Sequence, residues 1–426
     1  MTTPVFYRAL TKMALPLARL YLKKRARKQP AYLEHWDERF GETTYPAPSR
    51  PRLWMHAVSL GETNAARALI DAFFELYDDA ELLLTCMTPT GREAGEKIAR
   101  AYPGRVVQCY LPYDTAELMG KFFDEVRPLM GVVMETEVWP NMVAQANVRG
   151  IPLVLANARE SEKSARQARR FSSVMRAAFA GFDVVLAQSE EDAARLKELG
   201  ARNVHVCGSV KFDVKADLLQ SKAALELRKL IARPIILLAS TRDGEEAMFM
   251  DALSQTAEKA AVLLVPRHPQ RFEEVFELLK KTGLPVLRRS KGDDFAEASR
   301  IDGPVILYGD TMGEMSFYCA LADVCIMGGS FGNYGSQNLI EPAAAGAPVL
   351  VGPSSFNFAK AVDDAVEMGA AERVRDASDA WSTAVGWLHD GCLPERSRRA
   401  LEFAHSYTGA SARQMHFIGE IWEKAR

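Results

Sequence analysis

Short apolar runs recur along the chain from residue 52 onwards, and each is followed by small or polar residues and then by a stretch with helical periodicity. Uninterrupted apolar runs of this kind are typical of strands in parallel sheets that helices cover on both faces. The alternation therefore predicts a doubly wound α/β domain. In the first half of the chain, the predicted strands are residues 53–58, 82–85, 106–110, 130–134, 153–156 and 184–187.

The same alternation starts again after residue 213, with predicted strands at 235–239, 262–265, 305–308, 324–327 and 349–351. We therefore expect two Rossmann-like domains that face each other across a cleft. Their predicted bounds are residues 29–213 and 233–426, with a helical connector at 214–232. The last stretch, from about residue 376, has no strand pattern. Its helices are candidates for packing back on the first domain.

The first 28 residues have a different pattern, that of an amphipathic helix followed by a basic run. We expect this segment to lie on an anionic membrane surface, since its longest uncharged runs fall far short of the roughly 20 residues needed to span a bilayer and Pro16 interrupts it. The alternative is a first helix packed on the domain core, with a solvated charge run after it. The apolar face consists of Phe6, Leu10, Met13, Leu17 and Leu20, and the basic run of Lys23, Lys24, Arg25, Arg27 and Lys28.

Composition and charge narrow the class of protein. Apolar residues make up 48% of the 426 residues and charged residues 25%, which is typical of a folded soluble domain and not of a disordered chain. The 53 basic residues balance 55 acidic ones to a formal net charge of -2. A chain with this balance has no general attraction for nucleic acid, so we expect no nucleic-acid partner.

Candidate chemistry in the first domain follows the predicted strands, because ligands of open α/β sheets bind at the carboxyl ends of the strands. Ser59, Gly61 and Glu62 follow the first strand. Ser59 and Glu62 have the spacing of a capping box, in which each satisfies a backbone donor of the other. The functional alternative is that Glu62 projects into the cleft as a general base. Local sequence leaves both open.

Two further carboxylates, Glu135 and Glu137, follow the fourth predicted strand and precede a helix that starts near Pro140. They are either partners of that helix dipole or acids that face the cleft. Lys211 closes the first domain and is either a solvated lysine or a cation near the same cleft. His56 lies within an apolar strand, and we expect it to be a buried core histidine.

The second domain carries segments suited to anions, because glycines and helix starts offer free N–H groups to a phosphate. Glu341 enters a helix after glycines and is placed to accept hydrogen bonds from ribose hydroxyls. Neither an ATP phosphate loop nor a dinucleotide fingerprint is present, so the pattern favours a nucleotide-sugar site. The segments are residues 240–241, 266–269, 309–314, 328–330 and 335–342.

These motifs resemble, in one order and over nearly the whole chain, those of the Kdo (3-deoxy-D-manno-octulosonic acid) transferases of lipopolysaccharide synthesis. The matching segments are residues 36–41, 56–62, 88–91, 111–114, 134–141, 157–159, 266–269 and 309–314. The resemblance implies an inverting enzyme of glycosyltransferase-B (GT-B) architecture that moves Kdo from CMP-Kdo to a tetraacylated lipid A precursor. It also implies peripheral attachment at the cytoplasmic face of the bacterial inner membrane, with no metal and no cofactor.

The resemblance assigns roles to particular residues. Glu62 stands where the family has its general base, and Glu135, Glu137 and Lys211 stand where groups assist the transition state. The residues that stand where the family contacts the CMP of the donor are Pro266, Arg267, Met312, Gly313, Glu314, Asn338, Leu339, Ile340 and Glu341.

Two positions depart from the family pattern. Ser336 stands where the family has the second of two glycines, and Glu160 stands where an apolar residue is expected. Two other functions remain open from the residues alone. One is a B-type transferase or epimerase with a uridine donor, and the other is a noncatalytic membrane-associated binding protein.

Overall fold

Parallel strands form the centre of both parts of the chain. The computed structural model describes residues 3–170, 172–213, 218–255 and 259–426. The chain divides into two units, which we call unit 1 (Met1–Asp213 with Gly409–Arg426) and unit 2 (Val214–Thr408). The four residues 214–217, which begin the predicted connector, lie outside the described residues.

In the described part of unit 1, seven parallel strands form one sheet in the order β3-β2-β1-β4-β5-β6-β7. Met55 of the first strand lies opposite Leu84 on one side and Val132 on the other, all buried. The strands are β1 (Arg52–His56), β2 (Glu81–Cys86), β3 (Val106–Tyr110), β4 (Met130–Met134), β5 (Leu153–Ala158), β6 (Val184–Ala187) and β7 (Val204–Val206).

The described part of unit 2 repeats this design, with seven parallel strands in the order β10-β11-β9-β8-β12-β13-β14. The strands are β8 (Ile235–Thr241), β9 (Ala261–Pro266), β10 (Val286–Arg288), β11 (Val305–Tyr308), β12 (Val324–Met327), β13 (Val349–Val351) and β14 (Ala371–Arg373). The predicted α/β class with two Rossmann-like sheets is confirmed.

Helices cover the faces of both sheets. Those of unit 1 are α1 (Val5–Ala26), α2 (Trp36–Phe40), α3 (Leu60–Leu76), α4 (Pro89–Ala101), α5 (Ala116–Val126), α6 (Pro140–Val148), α7 (Glu162–Arg170), α8 (Ser172–Phe179) and α9 (Glu190–Glu198). Those of unit 2 are α10 (Leu218–Ile231), α11 (Glu245–Gln255), α12 (Phe272–Lys280), α13 (Met315–Leu321), α14 (Ile340–Ala344), α15 (Ala359–Glu367), α16 (Ala377–His389) and α17 (Leu393–Tyr407). The last helix, α18 (Ala410–Ala425), belongs to unit 1.

α18 joins the core of unit 1 through apolar side chains. Met415, Ile418 and Trp422 are buried in the cluster that covers one face of the sheet. The Trp422 ring lies 5.1 Å from the ring of Phe73 on α3. The end of the chain thus completes the first sheet's hydrophobic cover.

Three short strands lacked a sequence signal. β7, β10 and β14 have three residues each, and they lie at sheet edges with partly exposed side chains. An edge strand with one open side needs no continuous apolar run. All the predicted strands are present, with ends shifted by at most about two residues.

Helix α1 leaves its apolar face open. Phe6, Leu10, Met13, Leu17 and Leu20 are each more than half exposed. Near the helix end, Leu22 and Ala26 are buried beside Tyr32 and Phe40. The predicted apolar face therefore does not pack on the domain core, whereas the end of the helix is packed against unit 1.

Pro16 does not interrupt α1, contrary to the prediction: it lies inside one continuous helix of 22 residues. A proline removes one N–H from the helix interior, and on an exposed helix water can replace that hydrogen bond. Within the described part of the chain, no helix is both long enough and apolar enough to span a membrane.

Candidate functional site

The order of the strands in unit 1 reverses between β1 and β4, where ligands of open α/β sheets bind. Glu62 follows β1, and Glu135 and Glu137 follow β4. The fold therefore brings three carboxylates predicted from sequence to one point on the sheet edge. Arg159, after β5, and Lys211, after β7, extend this edge.

Glu62 lies in the first turn of α3, and its carboxylate turns back towards the strand end. The N–H of Val58 donates to Oε2 at 2.8 Å, and the Ser59 hydroxyl donates to Oε1 at 3.0 Å. Burial, together with repulsion from Glu137, raises the pKa of Glu62 to about 7. Its carboxylate thus titrates near neutral pH, which suits a general base.

The predicted capping box between Ser59 and Glu62 is not formed, since neither side chain accepts a hydrogen bond from the other residue's backbone N–H. Ser59 occupies the N-cap position, but its side chain accepts no hydrogen bond from the helix start. Its hydroxyl instead donates to Glu62, whose other oxygen binds the N–H of Val58. Ser59 therefore orients the Glu62 carboxylate.

Glu135 is buried and lies between two cations. Its Oε1 is 2.7 Å from the Lys211 Nζ, and its Oε2 accepts a hydrogen bond from the Arg159 Nε at 2.8 Å. Lys211 is therefore ion-paired, with its side chain 42% exposed. The φ of Glu135 is 55°, in the left-handed region that residues with a Cβ rarely adopt. Such strain is typical of functional sites.

Glu137 lies on the same loop as Glu135. It accepts a hydrogen bond from the Trp139 ring Nε1 at 2.9 Å, and burial raises the pKa of its carboxyl group. Neither acid caps α6. The N–H groups of Asn141 and Met142 donate to Asp114, at 3.2 and 2.7 Å. The helix-dipole role considered for Glu135 and Glu137 thus belongs to Asp114, which ends the matching segment 111–114 but was given no role from the sequence.

Asn141 connects this helix start to the N-terminal segment. Its side chain is buried, donates to the carbonyl of Asp114 at 2.8 Å and contacts the hydroxyls of Thr3 and Thr11 at 2.6 and 3.2 Å. Helix α1 is therefore hydrogen-bonded to the end of the loop that carries Glu135 and Glu137.

His56 is fully buried next to this edge, as expected. Its Nδ1 lies 2.9 Å from the Thr85 hydroxyl, and burial lowers the pKa of the imidazole to about 3. The ring packs edge-on against Trp139, with 5.1 Å between centroids. His56 is thus a neutral supporting residue beneath the loop.

In unit 2 the strand order reverses between β8 and β12, so a ligand site is expected at this edge as well. Arg267, after β9, is exposed and donates from Nε to the Gln337 Oε1 at 3.2 Å. Burial raises the pKa of Glu341, and the nearby Arg267 opposes this shift. The structure thus brings together a cation and a partly buried carboxylate of the predicted nucleotide site.

The loop after β11 holds Met312, Gly313 and Glu314. Met312 is exposed, and Gly313 has a φ of 82°. Arg289 donates to Glu314 at 2.8 Å, and this contact lowers the pKa of the Glu314 carboxyl group. Glu314 is therefore engaged within the protein and fixes the loop that presents Met312 and Gly313.

The other residues predicted to contact the donor differ in which of their groups a ligand could reach. Leu339 and Ile340 are buried, so only their main chain could meet a ligand, and the Ile340 N–H already donates to Asn338 at 3.1 Å. Pro266 is the buried end of β9. Ser336 has a φ of 68°, which explains why a glycine is usual at this position.

Residues 328–330, predicted to bind an anion, belong to a loop whose N–H groups already donate to a carboxylate of the protein itself. The buried carboxylate of Glu245 accepts hydrogen bonds from the N–H groups of Gly329 at 2.6 Å and Phe331 at 2.9 Å. It also accepts from Gly332 at 3.3 Å and Arg242 at 2.8 Å. The expectation of a phosphate site at this loop is therefore wrong, because the protein supplies its own anion.

The fold has known counterparts. The UDP-GlcNAc 2-epimerase from Neisseria meningitidis, solved bound to UDP-GlcNAc, matches with a TM-score of 0.56 over 88% of this chain and all of that chain. At 12% identity, this likeness shows the fold alone. Two Rossmann-like units, each built on a sheet of parallel strands, define the class of this protein as GT-B.

Sequence relatives identify the family. The family model described as 3-deoxy-D-manno-octulosonic-acid transferase (kdotransferase) matches residues 34–214. A 3-deoxy-D-manno-octulosonic acid transferase from Bordetella pertussis is 44% identical over 419 residues, or 96% of each chain. Another from Haemophilus influenzae is 31% identical over 390 residues, or 89% of each chain. The chain belongs to the Kdo transferases and is a glycosyltransferase.

Proposed function

We propose that this enzyme transfers Kdo, with inversion, from CMP-Kdo to a tetraacylated lipid A precursor, with Glu62 as the general base. The observation that carries the proposal is the environment of Glu62. Its carboxylate is held by Val58 and Ser59, and its pKa is raised to about 7. Family membership supplies Kdo as the transferred sugar.

In the proposed reaction, an acceptor hydroxyl attacks the anomeric carbon of Kdo, and the bond from that carbon to the phosphate oxygen of CMP breaks. The proton of the hydroxyl passes to Glu62, and CMP departs with the bonding electron pair. A base on the face opposite the departing group gives inversion. Proton removal of this kind contributes roughly 100- to 10,000-fold to a rate.

Lys211 is the proposed source of positive charge in the transition state. It is held by Glu135, which also binds Arg159, so the cation has a fixed position before substrate arrives. Preorganised charges of this type stabilise a transition state without reorganisation. Glu137 is the proposed support for the same region, because it raises the pKa of Glu62 by repulsion.

The donor is proposed to bind at the edge of unit 2. Arg267 is exposed and suited to a phosphate, and Glu341 is suited to ribose hydroxyls. Met312 and Gly313 offer main-chain contacts to the cytosine on the loop fixed by Glu314, and Asn338 holds the start of α14. These features support a nucleotide donor that needs no metal ion and no other cofactor.

Helix α1 is the proposed membrane contact, at the cytoplasmic face of the bacterial inner membrane. Its exposed apolar face and the basic run that follows suit a peripheral helix on anionic lipid. This placement would bring the enzyme to an acceptor that carries acyl chains.

The test is transfer from CMP-Kdo to the purified tetraacylated disaccharide, with products identified by mass spectrometry. UDP-GlcNAc as donor tests the uridine alternative. We expect one or more Kdo additions with CMP-Kdo and none from the uridine donor. Product from UDP-GlcNAc alone would overturn the proposal, and no turnover with either donor would favour the noncatalytic alternative.

The substitution Glu62→Ala tests the proposed role of Glu62 as the general base. We expect it to fold and bind CMP but to lose at least about a hundredfold in kcat. Glu96→Ala is the control, since Glu96 is an exposed acid on α4 whose contact with Arg100 is 3.8 Å. Full activity in Glu62→Ala would remove Glu62 from the mechanism.

A further inference from the structure

A buried glutamine from the last helix reaches the strand ends of unit 1. Gln414 of α18 is fully buried. Its Oε1 accepts a hydrogen bond from the N–H of Asn157 at 2.9 Å, and its Nε2 donates to the carbonyl of Gly208 at 3.2 Å. One side chain therefore joins the end of β5 to the segment that follows β7.

Both segments carry a cation that binds Glu135. Arg159 comes two residues after Asn157, and Lys211 comes three residues after Gly208. Their side chains contact opposite oxygens of the Glu135 carboxylate, at 2.8 and 2.7 Å. A shift of either segment would move a cation relative to this carboxylate.

Asn157 strengthens the connection. Its φ is 50°, in the left-handed region, so this backbone position needs support from its surroundings. Its Oδ1 accepts from the N–H of Val210 at 3.1 Å, and its Nδ2 lies 3.4 Å from Glu135. Gln188 donates to its carbonyl at 2.9 Å. Gln414 thus lies at the base of one connected hydrogen-bond network.

Docking of α18 does not by itself require a glutamine at this position. The helix is anchored by Met415, Ile418 and Trp422, which are buried among apolar residues. A buried amide costs free energy unless both its groups are hydrogen-bonded, whereas an apolar residue would fill the space without that cost. The glutamine therefore points to a role in fixing the two segments.

We infer that Gln414 is a positioning residue for Kdo transfer, which acts by holding Arg159 and Lys211 in place on Glu135. This inference rests on the proposed function, in which Lys211 supports the transition state. The last helix thereby supports the proposed catalytic residues of unit 1 without placing a side chain on the substrate.

Gln414→Met tests the inference, because methionine matches the length of glutamine and lacks its hydrogen-bonding groups. We expect kcat to fall about 10- to 100-fold with the KM for CMP-Kdo changed less than about threefold, as expected when catalytic groups are displaced slightly. Trp422→Leu is the matched control. Trp422 lies further along the same helix as Gln414 and packs against Phe73 of α3, so its loss is expected to lower the Tm while keeping kcat.

A second readout does not depend on transfer. Brief acetylation with acetic anhydride, quantified by mass spectrometry, reports how freely Lys211 reacts relative to Lys97, an exposed lysine of α4. We expect Gln414→Met to raise the Lys211 to Lys97 ratio several-fold and Trp422→Leu to leave it unchanged, because only the first change loosens the ion pair.

The outcomes separate the two ideas. Unchanged kcat and unchanged Lys211 labelling in Gln414→Met would overturn the inference, and so would an equal loss of kcat in Trp422→Leu. Absence of Kdo transfer by the unaltered enzyme, with Lys211 labelling still raised in Gln414→Met, would overturn the proposed function and leave the positioning of Lys211 intact.

Discussion

The protonation of Glu62 depends on opposing contacts. Burial and the charge of Glu137 favour the protonated acid, whereas the hydrogen bonds from Val58 and Ser59 favour the carboxylate. The balance places its pKa at about 7, so modest changes nearby should move the activity profile across neutral pH.

A base works in its deprotonated form, so kcat/KM should fall about tenfold per pH unit below about 7. Ser59→Ala removes a hydrogen bond to the carboxylate and should move this limb to higher pH. Glu137→Gln removes repulsion and should move it to lower pH, whatever its effect on the maximum rate. Steady-state rates between pH 5 and 9, a range of about four units around neutrality, give this profile for the unaltered enzyme and for both variants. Shifts in the same direction for both variants would contradict the assignment.

Glu245 gives a prediction about stability rather than about catalysis. Glu245→Ala would leave buried N–H groups of the loop after β12 without an acceptor, and the free energy of unfolding should drop by about 3 kcal/mol or more. Urea unfolding of the full chain measures this. Glu274→Ala, which removes a largely exposed acid of α12, should change it by less than about 0.5 kcal/mol. An unchanged urea midpoint for Glu245→Ala would refute the prediction.

At this scale the sequence identified residues but not their partners. Glu62, Glu135 and Lys211 could be found because each follows a predicted strand. The pairing of Lys211 with Glu135, and the place of Gln414 beneath them, depend on contacts between segments far apart in the chain. A glycine-rich loop that looked ready for phosphate was already filled by Glu245, which lies in a helix start 84 residues earlier.

Among the elements, strands and helices differ in how well the sequence predicts them. Central strands buried on both faces have continuous apolar runs, and these were predicted almost to the residue. β10 at one sheet edge lacked that signal because its side chains are only partly buried. Helix α1 shows the converse, since its periodic apolar pattern predicted the helix while its apolar face is exposed.

The exposed face of α1 yields a binding prediction. Leu10→Ser with Leu17→Ser should weaken binding to vesicles that contain phosphatidylglycerol by at least about a hundredfold, because each leucine loses roughly 1.5 to 3 kcal/mol of burial in lipid. Leu225→Ser with Leu230→Ser on α10 is the control, at 54% and 62% exposure against 55% and 67%. Sedimentation with vesicles gives the affinities. Equal losses for both pairs would show that α1 is not the membrane contact.

The whole molecule consists of two units with the same sheet design and different chemistry at the strand ends. Unit 1 presents carboxylates and paired cations, and unit 2 presents glycine-bounded loops with Arg267 and Glu341. The repeated strand and helix alternation made this division predictable. Family membership, shown by relatives across nearly the full chain, agrees with the resemblance found from the motifs.

Metal independence is a prediction for the intact enzyme. CMP leaves as a monophosphate whose charge Arg267 and main-chain N–H groups are suited to balance. Transfer should therefore proceed in EDTA within about twofold of its rate with Mg²⁺. Loss of transfer in EDTA, with recovery on adding Mg²⁺ in excess, would show that a metal takes part.

The hydrogen bonds that join Asn141 to Thr3 and Thr11 bear on how the enzyme should be prepared for study. Deleting the N-terminal helix to improve handling in detergent-free buffer would also strip these partners from a buried amide next to the Glu135 loop. Kinetic constants from such a shortened chain would combine detachment from lipid with a loosened loop. Serine substitutions on the outer face of α1 leave Asn141 paired, so they isolate the contribution of lipid attachment to turnover.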